Sequence, residues 1–380
     1  RNGKVLIKNE PTFDLITRPN LILNIDSFLD EIQPVIYLSE TETSRYRKLY
    51  KEKAFVNKEL VLKKDLSDEE IARFNVRSFN FQNAFIAKRF RRISDHPNIF
   101  SHVLGYTSRS DDDFNSISEI PRSHWKDAEL VYAHGLIKGR TGLEEIYDEQ
   151  LSGRYGKRVY EMNARGQLVQ SLSLTKGEQG SDLYTNLDID AQKSAAKFLG
   201  NRKGAVVAID LDAGGINVLY SSPAYSINKL SNGMNEDEFQ ALIDDPNKPF
   251  FNRALQGRYP PASTIKPAIG MYGLSNNIVN WDFEMKDPGF FTLPETGRIF
   301  RGWRKGGHGK VNMHKAFLVS SNTYFFSLAY QANITELSNY LSNLGFGQKV
   351  CLDCFDEDQA FVPTPEWKYS IMNAGWVKGD

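Results

Sequence analysis

The sequence predicts an α+β protein in two parts, an N-terminal region of strands and helices followed by a domain that opens with a strand, a helix and two strands. Three observations carry this. The first residues form short β-rich runs broken by prolines and asparagines, followed by segments with helix-start signals. Thr175 to Gly180 (TKGEQG) is polar and glycine-containing, as linkers are. After it the order becomes strand, helix, strand, strand. At 380 residues the chain exceeds one ordinary core, which fits two domains, residues 1–180 and 181–380.

Taken in order, Lys4–Ile7 beside the Asn2-Gly3 turn, Phe13–Ile16 and Leu21–Ile25 read as strands. Ser39 with Glu42, and Ser67 with Glu70, fit capping boxes ahead of helices. Phe81 to Tyr106 alternates aromatic and basic residues, with Lys88, Arg89, Arg91 and Arg92 clustered. Such a stretch can make a phosphate-and-stacking surface, but Lys plus Arg equals Asp plus Glu at 47 each, so the charge balance argues against a nucleic-acid partner. Gly142 opens a helix that ends at Gly153, and Val159–Val169 holds two strands. Beyond the linker, Asp182–Asp188 reads as a strand, Asp190–Leu199 as a helix, and Gly204–Asp210 and Ile216–Ser221 as strands around a turn at Gly214-Gly215. No run approaches the roughly 18 apolar residues of a membrane span.

The stretch with the most chemistry is Tyr259 to Gly270, YPPASTIKPAIG. Ser263 and Lys266 stand three apart, so a helical turn puts them on one face. Serine is a poor nucleophile at its own pKa; a desolvated lysine loses its proton more readily and can serve as its base. The helix N-terminus favours the developing negative charge. Further on, Ser320-Ser321-Asn322 precedes an aromatic-rich helical run and also reads as an ordinary helix cap, a role compatible with a catalytic one. Cys351 and Cys354 are the only cysteines; no second pair or nearby histidine completes a metal site, and the spacing leaves open whether they are bridged.

The segment from Asn252 to Pro267, NRALQGRYPPASTIKP, resembles the active-serine segment of the penicillin-binding proteins. Asp287-Pro288-Gly289, Arg301 to Gly309 (RGWRKGGHG) and Ser320 to Phe326 (SSNTYFF) are similar to the elongation-specific class B branch. The resemblance spans nearly the whole chain and is most specific from Arg253 to Phe326. It implies an extended N-terminal pedestal of strands and helices over residues 1–180 and, over 181–380, a partial D,D-transpeptidase domain of the serine β-lactamase-like fold, with helices packed on an antiparallel sheet.

What the resemblance implies for chemistry is an acyl-serine cycle on peptidoglycan stem peptides, blocked by β-lactams. Ser263 would be the nucleophile and Lys266 its base; Ser320 would relay a proton and Asn322 hold both Lys266 and the substrate's peptide group. No cofactor is implied. Relatives that bind a structural zinc use two aspartates, a histidine and a cysteine; here Asp287 and His308 remain but Gly302 and Ser321 occupy the other places, so no zinc is expected and the two remaining groups should hydrogen-bond to one another's loops. The expected partners are a shape-determining glycosyltransferase and the rod-complex scaffold protein, and the expected location is the bacterial inner membrane, periplasmic face, through an N-terminal anchor absent from this chain. Arg140-Thr141-Gly142 mimics the third catalytic motif but precedes the serine and reads as structural. Trp376 to Asp380 ends before that motif, so the chain is expected to be incomplete and, taken literally, an inefficient transpeptidase. The rival readings are a D,D-carboxypeptidase or β-lactamase on the same fold, or a non-catalytic binding protein.

Overall fold

The computed structural model describes residues 1–53, 59–109, 137–154, 156–162, 168–354 and 356–379. They form two compact units, Arg1–Ala254 and Leu255–Asp380.

The first unit begins with β1 (Lys8–Thr17), α1 (Ile25–Ile32), α2 (Glu40–Lys53), β2 (Leu60–Lys63), α3 (Asp68–Arg77) and β3 (Ala84–Ile93). The strands make an antiparallel sheet in the order β2-β1-β3, with β1 and β3 paired from Lys8↔Ile93 to Thr17↔Ala84. Pro11 is tolerated inside β1 because β2 covers only Leu15–Thr17, leaving an open edge where the missing N–H costs no ladder bond. Leu15, Leu60, Leu62 and Ala84 turn inward and pack with Phe28, Ile32, Ile36, Tyr46, Phe74 and Phe81. Both capping boxes form: Ser67 Oγ accepts from Glu70 N at 3.2 Å while Ser67 N donates to Glu70 Oε2 at 3.1 Å, and Ser39 and Glu42 repeat the exchange.

Two strand expectations fail here. Asn2 and Gly3 make their left-handed turn, but Lys4–Ile7 is not a strand, and the ladder starts only at Lys8. Leu21–Ile25 is a 3₁₀ turn (Pro19–Leu21) running into α1, because Asn24 caps that helix by accepting from Asp26 N and Ser27 N. The apolar run read as a strand is the approach to a cap.

The basic cluster is tied into this scaffold. Arg91 donates to Glu10 at 3.0 Å, and Arg92 donates to the buried carboxylate of Glu144 at 3.1 Å. Glu144 belongs to α5 (Gly142–Ile146), which follows α4 (Ser101–Leu104), β4 (Thr107–Arg109) and β5 (Ile137–Gly139). The single helix expected from Gly142 to Gly153 breaks at Tyr147, giving α5 and α6 (Asp148–Ser152), since Tyr147 leaves helical dihedrals at φ −105° and ψ 21°. Arg140-Thr141-Gly142 is the entry to α5, a structural place. β6 (Lys157–Met162) and β7 (Leu168–Thr175) pair antiparallel; residues 163–167 lie outside the described residues. The TKGEQG stretch is held to the scaffold, because Arg154 and Glu178 exchange backbone hydrogen bonds at 3.0 and 2.8 Å.

Asp182–Asp188 is not a strand either. Asp188 is the cap of α7 (Ile189–Leu199), accepting from Asp190 N and Ala191 N. α7 packs on the hairpin of β8 (Gly204–Ile209) and β9 (Ile216–Ser222). Gln192, fully buried, locks that contact by accepting from Leu219 N at 3.0 Å and donating to Leu219 O and Ile99 O at 2.8 Å. α8 (Ile227–Asn232) and α9 (Glu236–Asp244) complete the unit.

The second unit opens with a 3₁₀ turn, Ala262–Ile265, that runs directly into α10 (Lys266–Ser275). β10 (Met285–Asp287), β11 (Phe290–Thr292), β12 (Ile299–Arg301) and β13 (Gly309–Val311) form two antiparallel pairs, β10-β13 and β11-β12. α11 (Met313–Leu318), α12 (Asn322–Gln331), α13 (Ile334–Asn343) and α14 (Pro365–Met372) follow. Val279, Val311, Met313, Ala316, Tyr324, Phe325 and Leu328 make the core between α10, α11 and α12. Gly270 and Gly273 allow that approach: a Cβ at either would stand 2.7 Å from Phe317 or Leu328. Cys351 and Cys354, left open by their spacing, are bridged.

Candidate active site

Pro260 and Pro261 stop the incoming segment, and Thr264 N closes the first turn onto Pro261 O at 3.1 Å. Ala262 takes a left-handed backbone, φ 49°, a costly conformation for a residue with a Cβ and one that turns the chain sharply just before Ser263. The 3₁₀ geometry eclipses residues three apart, so Ser263 and Lys266 share a face. Ser263 is exposed and Lys266 is buried. Pro267 sits in the first turn of α10, where a missing N–H breaks no helical bond.

The other side of the site is the junction of α11 and α12. Ser320 N bonds to Phe317 O at 3.1 Å and Ser321 N to Ala316 O at 2.9 Å, closing α11; Ser320 itself is left-handed at φ 51°. Ser321 then caps α12 by accepting from Tyr324 N at 3.2 Å. This tight reversal brings Ser320 and Asn322 to the same side.

Lys266 Nζ donates to Ser320 O at 2.9 Å, to Ser320 Oγ at 3.0 Å and to Asn322 Oδ1 at 2.7 Å, using the three donors an ammonium has. It also stands 5.4 Å from the centre of the Phe325 ring. Ser320 Oγ in turn donates to Ser263 Oγ at 3.0 Å. All four residues singled out in the sequence thus meet, and the hydrogen-bonded path from Lys266 to Ser263 passes through Ser320. Burial lowers the Lys266 pKa from the usual lysine range. A partly desolvated amine linked through a hydroxyl to an exposed hydroxyl can withdraw a proton from it and return one to a leaving group.

Ser321 is the residue that sequence reasoning missed. Noted within an ordinary helix cap and as the place where some relatives carry a zinc-binding cysteine, it is fully buried and also donates to Asp287 Oδ2 at 2.7 Å. Asp287 Oδ1 accepts from Gly289 N at 2.7 Å, and His308 N donates to Asp287 O at 3.2 Å, so the loops of Asp287 and His308 are joined through the backbone. Burial alone would raise the Asp287 pKa, but the Ser321 and Gly289 donors outweigh it and hold the carboxyl below its usual range. Trp303 Nε1 donates to Val319 O at 3.1 Å, bracing the end of α11. A cavity of about 730 Å³ in this unit is lined by Phe291, Phe300, Phe326, Tyr330 and Trp376 among others; the four polar groups are not in its wall.

With this geometry in hand, comparison with known proteins is specific. The family description "Penicillin-binding Protein dimerisation domain" matches residues 1–185, and "Penicillin binding protein transpeptidase domain" matches residues 204–377. The chain belongs to the penicillin-binding proteins. It is 36% identical, over its whole length, to the peptidoglycan D,D-transpeptidase MrdA of Acinetobacter baumannii, of which it covers 55%. It is 31% identical to that of Escherichia coli K12, of which it covers 59%. The chain therefore spans little more than half of these relatives.

Among solved penicillin-binding proteins, PBP2 of Helicobacter pylori in complex with MreC matches all of this chain, with a TM-score of 0.82 at 26% identity, the chain covering 69% of it. PBP2 of Pseudomonas aeruginosa in complex with WCK 5153 matches 77% of this chain, with a TM-score of 0.65 at 30% identity, and is covered to 58%. The fold is accordingly mixed helix and sheet with a dimerisation and a transpeptidase part. Among the described residues no helix is long and apolar enough to cross a membrane.

Proposed function

We propose that this chain carries the acylation site of a peptidoglycan D,D-transpeptidase of the cell-elongation machinery, with residues 1–180 as the pedestal and 181–380 as part of the transpeptidase domain. The single observation that carries the reading is the run of hydrogen bonds from Lys266 through Ser320 to Ser263, braced by Asn322.

In this reading Ser263 Oγ attacks the carbonyl carbon between the two terminal D-alanines of a stem peptide. With Lys266 neutral, the direction in which burial shifts it, the two hydroxyl bonds turn round: Ser263 Oγ donates to Ser320 Oγ and Ser320 Oγ to Nζ, and the proton moves along that path to the amine. Collapse of the tetrahedral intermediate returns a proton by the same path to the departing D-alanine amine, leaving an ester on Ser263. An amine from a neighbouring stem peptide then takes the acyl group and regenerates the hydroxyl. The Asn322 amide, with Oδ1 on Lys266, keeps its NH₂ for the substrate's peptide carbonyl. β-Lactams present the same carbonyl and stop at the ester.

The relatives' names support the activity, and the complex of H. pylori PBP2 with MreC supports a rod-complex scaffold protein as partner. A shape-determining glycosyltransferase as second partner, and attachment to the inner membrane with the site on the periplasmic face, belong to the same proposal. The test is turnover of stem peptides ending in D-alanyl-D-alanine by the full-length protein. Release of D-alanine coupled to cross-linked product, lost in Ser263→Ala, is expected. Release without cross-linking assigns a carboxypeptidase instead, and no release with a folded protein assigns a binding role.

A further inference from the structure

We propose that Cys351 and Cys354 are a thiol–disulfide exchange site, opened and closed by a dithiol protein, whose state sets how firmly the segment leading to Ser263 is held. The part concerning Ser263 rests on the acyl-serine reading above.

The bridge spans only two intervening residues. A ring that small removes little entropy from the unfolded chain, so its effect is local rather than a general gain in stability. It is also accessible: both cysteines are half-buried, Leu352 between them is 99% exposed and Val350 beside them is 65% exposed, an apolar lip for a docking partner.

What the bridge organises is a short hydrogen-bonded turn. Glu357 accepts from Val350 N and Cys351 N at 3.0 Å each, and Glu357 N donates to Cys354 O at 3.0 Å. The next residue carries the turn to the nucleophile's side of the unit. Asp358 N donates to Leu255 O at 2.9 Å, and its carboxylate takes Arg258 Nε at 2.8 Å and Nη2 at 2.5 Å. Arg258 is separated from Ser263 only by Tyr259-Pro260-Pro261-Ala262, a stretch stiffened by two prolines, so a shift at Arg258 is passed along.

The exchange balances. A thiolate of the partner attacks one bridge sulfur and the other cysteine leaves as thiolate, taking up a proton. The partner's second thiol then displaces the first cysteine, so two electrons and two protons pass to the bridge and the partner is left as a disulfide. Asp353 Oδ1, 3.7 Å from Cys351 Sγ, can accept from the thiol so formed.

The test treats the full-length protein, without denaturant, with reduced thioredoxin. Iodoacetamide counts the thiols, hydrogen–deuterium exchange follows residues 255–262, and fluorescent penicillin gives the acylation rate. Expected are two alkylated cysteines, faster exchange at 255–262, and acylation slowed about two- to fivefold, the scale of one partly exposed ion pair. Asp358→Asn should show the same slowing with the bridge intact, and Cys351→Ala/Cys354→Ala should be slow whether or not reductant is present. No alkylation, alkylation with unchanged exchange, or faster exchange with unchanged acylation overturns the proposal. A failure of the acyl-serine reading looks different: neither redox form is labelled, while exchange still follows the state of the bridge.

Discussion

Ser321 Oγ donates to Asp287 Oδ2 at 2.7 Å, and both side chains are buried. Ser320 and Asn322 flank that serine, so the two residues that grip Lys266 are anchored from behind by a carboxylate they do not touch. Ser321→Ala should cost about 1–3 kcal/mol for the stranded carboxylate and about 1 kcal/mol more for the lost cap of α12. Urea unfolding measures the sum, and the rate of penicillin acylation should fall with it. Asp287→Asn, which keeps an acceptor oxygen, should cost less.

The acylation rate should rise with pH through the Lys266 pKa, because the neutral amine is the working form. Burial puts that midpoint below the ordinary lysine value of 10.5. Asn322→Asp places a negative charge against Nζ, which favours the ammonium; the midpoint should move alkaline by about one unit or more. A pH series of acylation rates on both proteins checks the direction, and an unmoved midpoint would count against Lys266 as the base.

Ser320 is left-handed, so its backbone and its hydroxyl make separate contributions. Ser320→Gly relieves the backbone and removes the link between Lys266 and Ser263; it should be no less stable than the parent, yet acylate about 10²–10⁴-fold more slowly. Thermal melting set beside acylation rates separates the two effects.

His102, in the first unit, predicts a pH dependence of stability unrelated to catalysis. It is buried, with Nε2 2.7 Å from Pro249 O and Nδ1 3.2 Å from Ser101 Oγ, contacts that suit the neutral ring. Burial pushes its pKa down to about 4. The unfolded chain, with histidine near 6.5, binds the proton more readily, so stability is complete above about 6.5 and is lost as pH falls from there to about 4. Urea unfolding should show a loss of about 2 kcal/mol between pH 7.5 and 5, absent in His102→Phe.

The features of this site and its scaffold are unequally legible in the sequence. Ser263 and Lys266 can be read because a helical turn needs only local spacing to align them, and the Ser67–Glu70 box for the same reason. Asn24 and Asp188 show the limit of that reading. Each follows a short apolar or mixed run that looks like a strand, and only the backbone donors they accept reveal a helix cap. The bond between Asp287 and Ser321 joins residues 34 apart, and the clamp between Arg258 and Asp358 joins residues 100 apart. No periodicity encodes such pairings; they follow from how α12 packs against the loop after β10 and how the disulfide turn folds back.

The most direct measurement is to react the full-length protein with penicillin and locate the adduct by peptide mass spectrometry. The account predicts one penicilloyl group per chain, on Ser263, and none in Ser263→Ala. An adduct on any other residue, or an unmodified Ser263 in a folded protein whose sample is otherwise acylated, would contradict it.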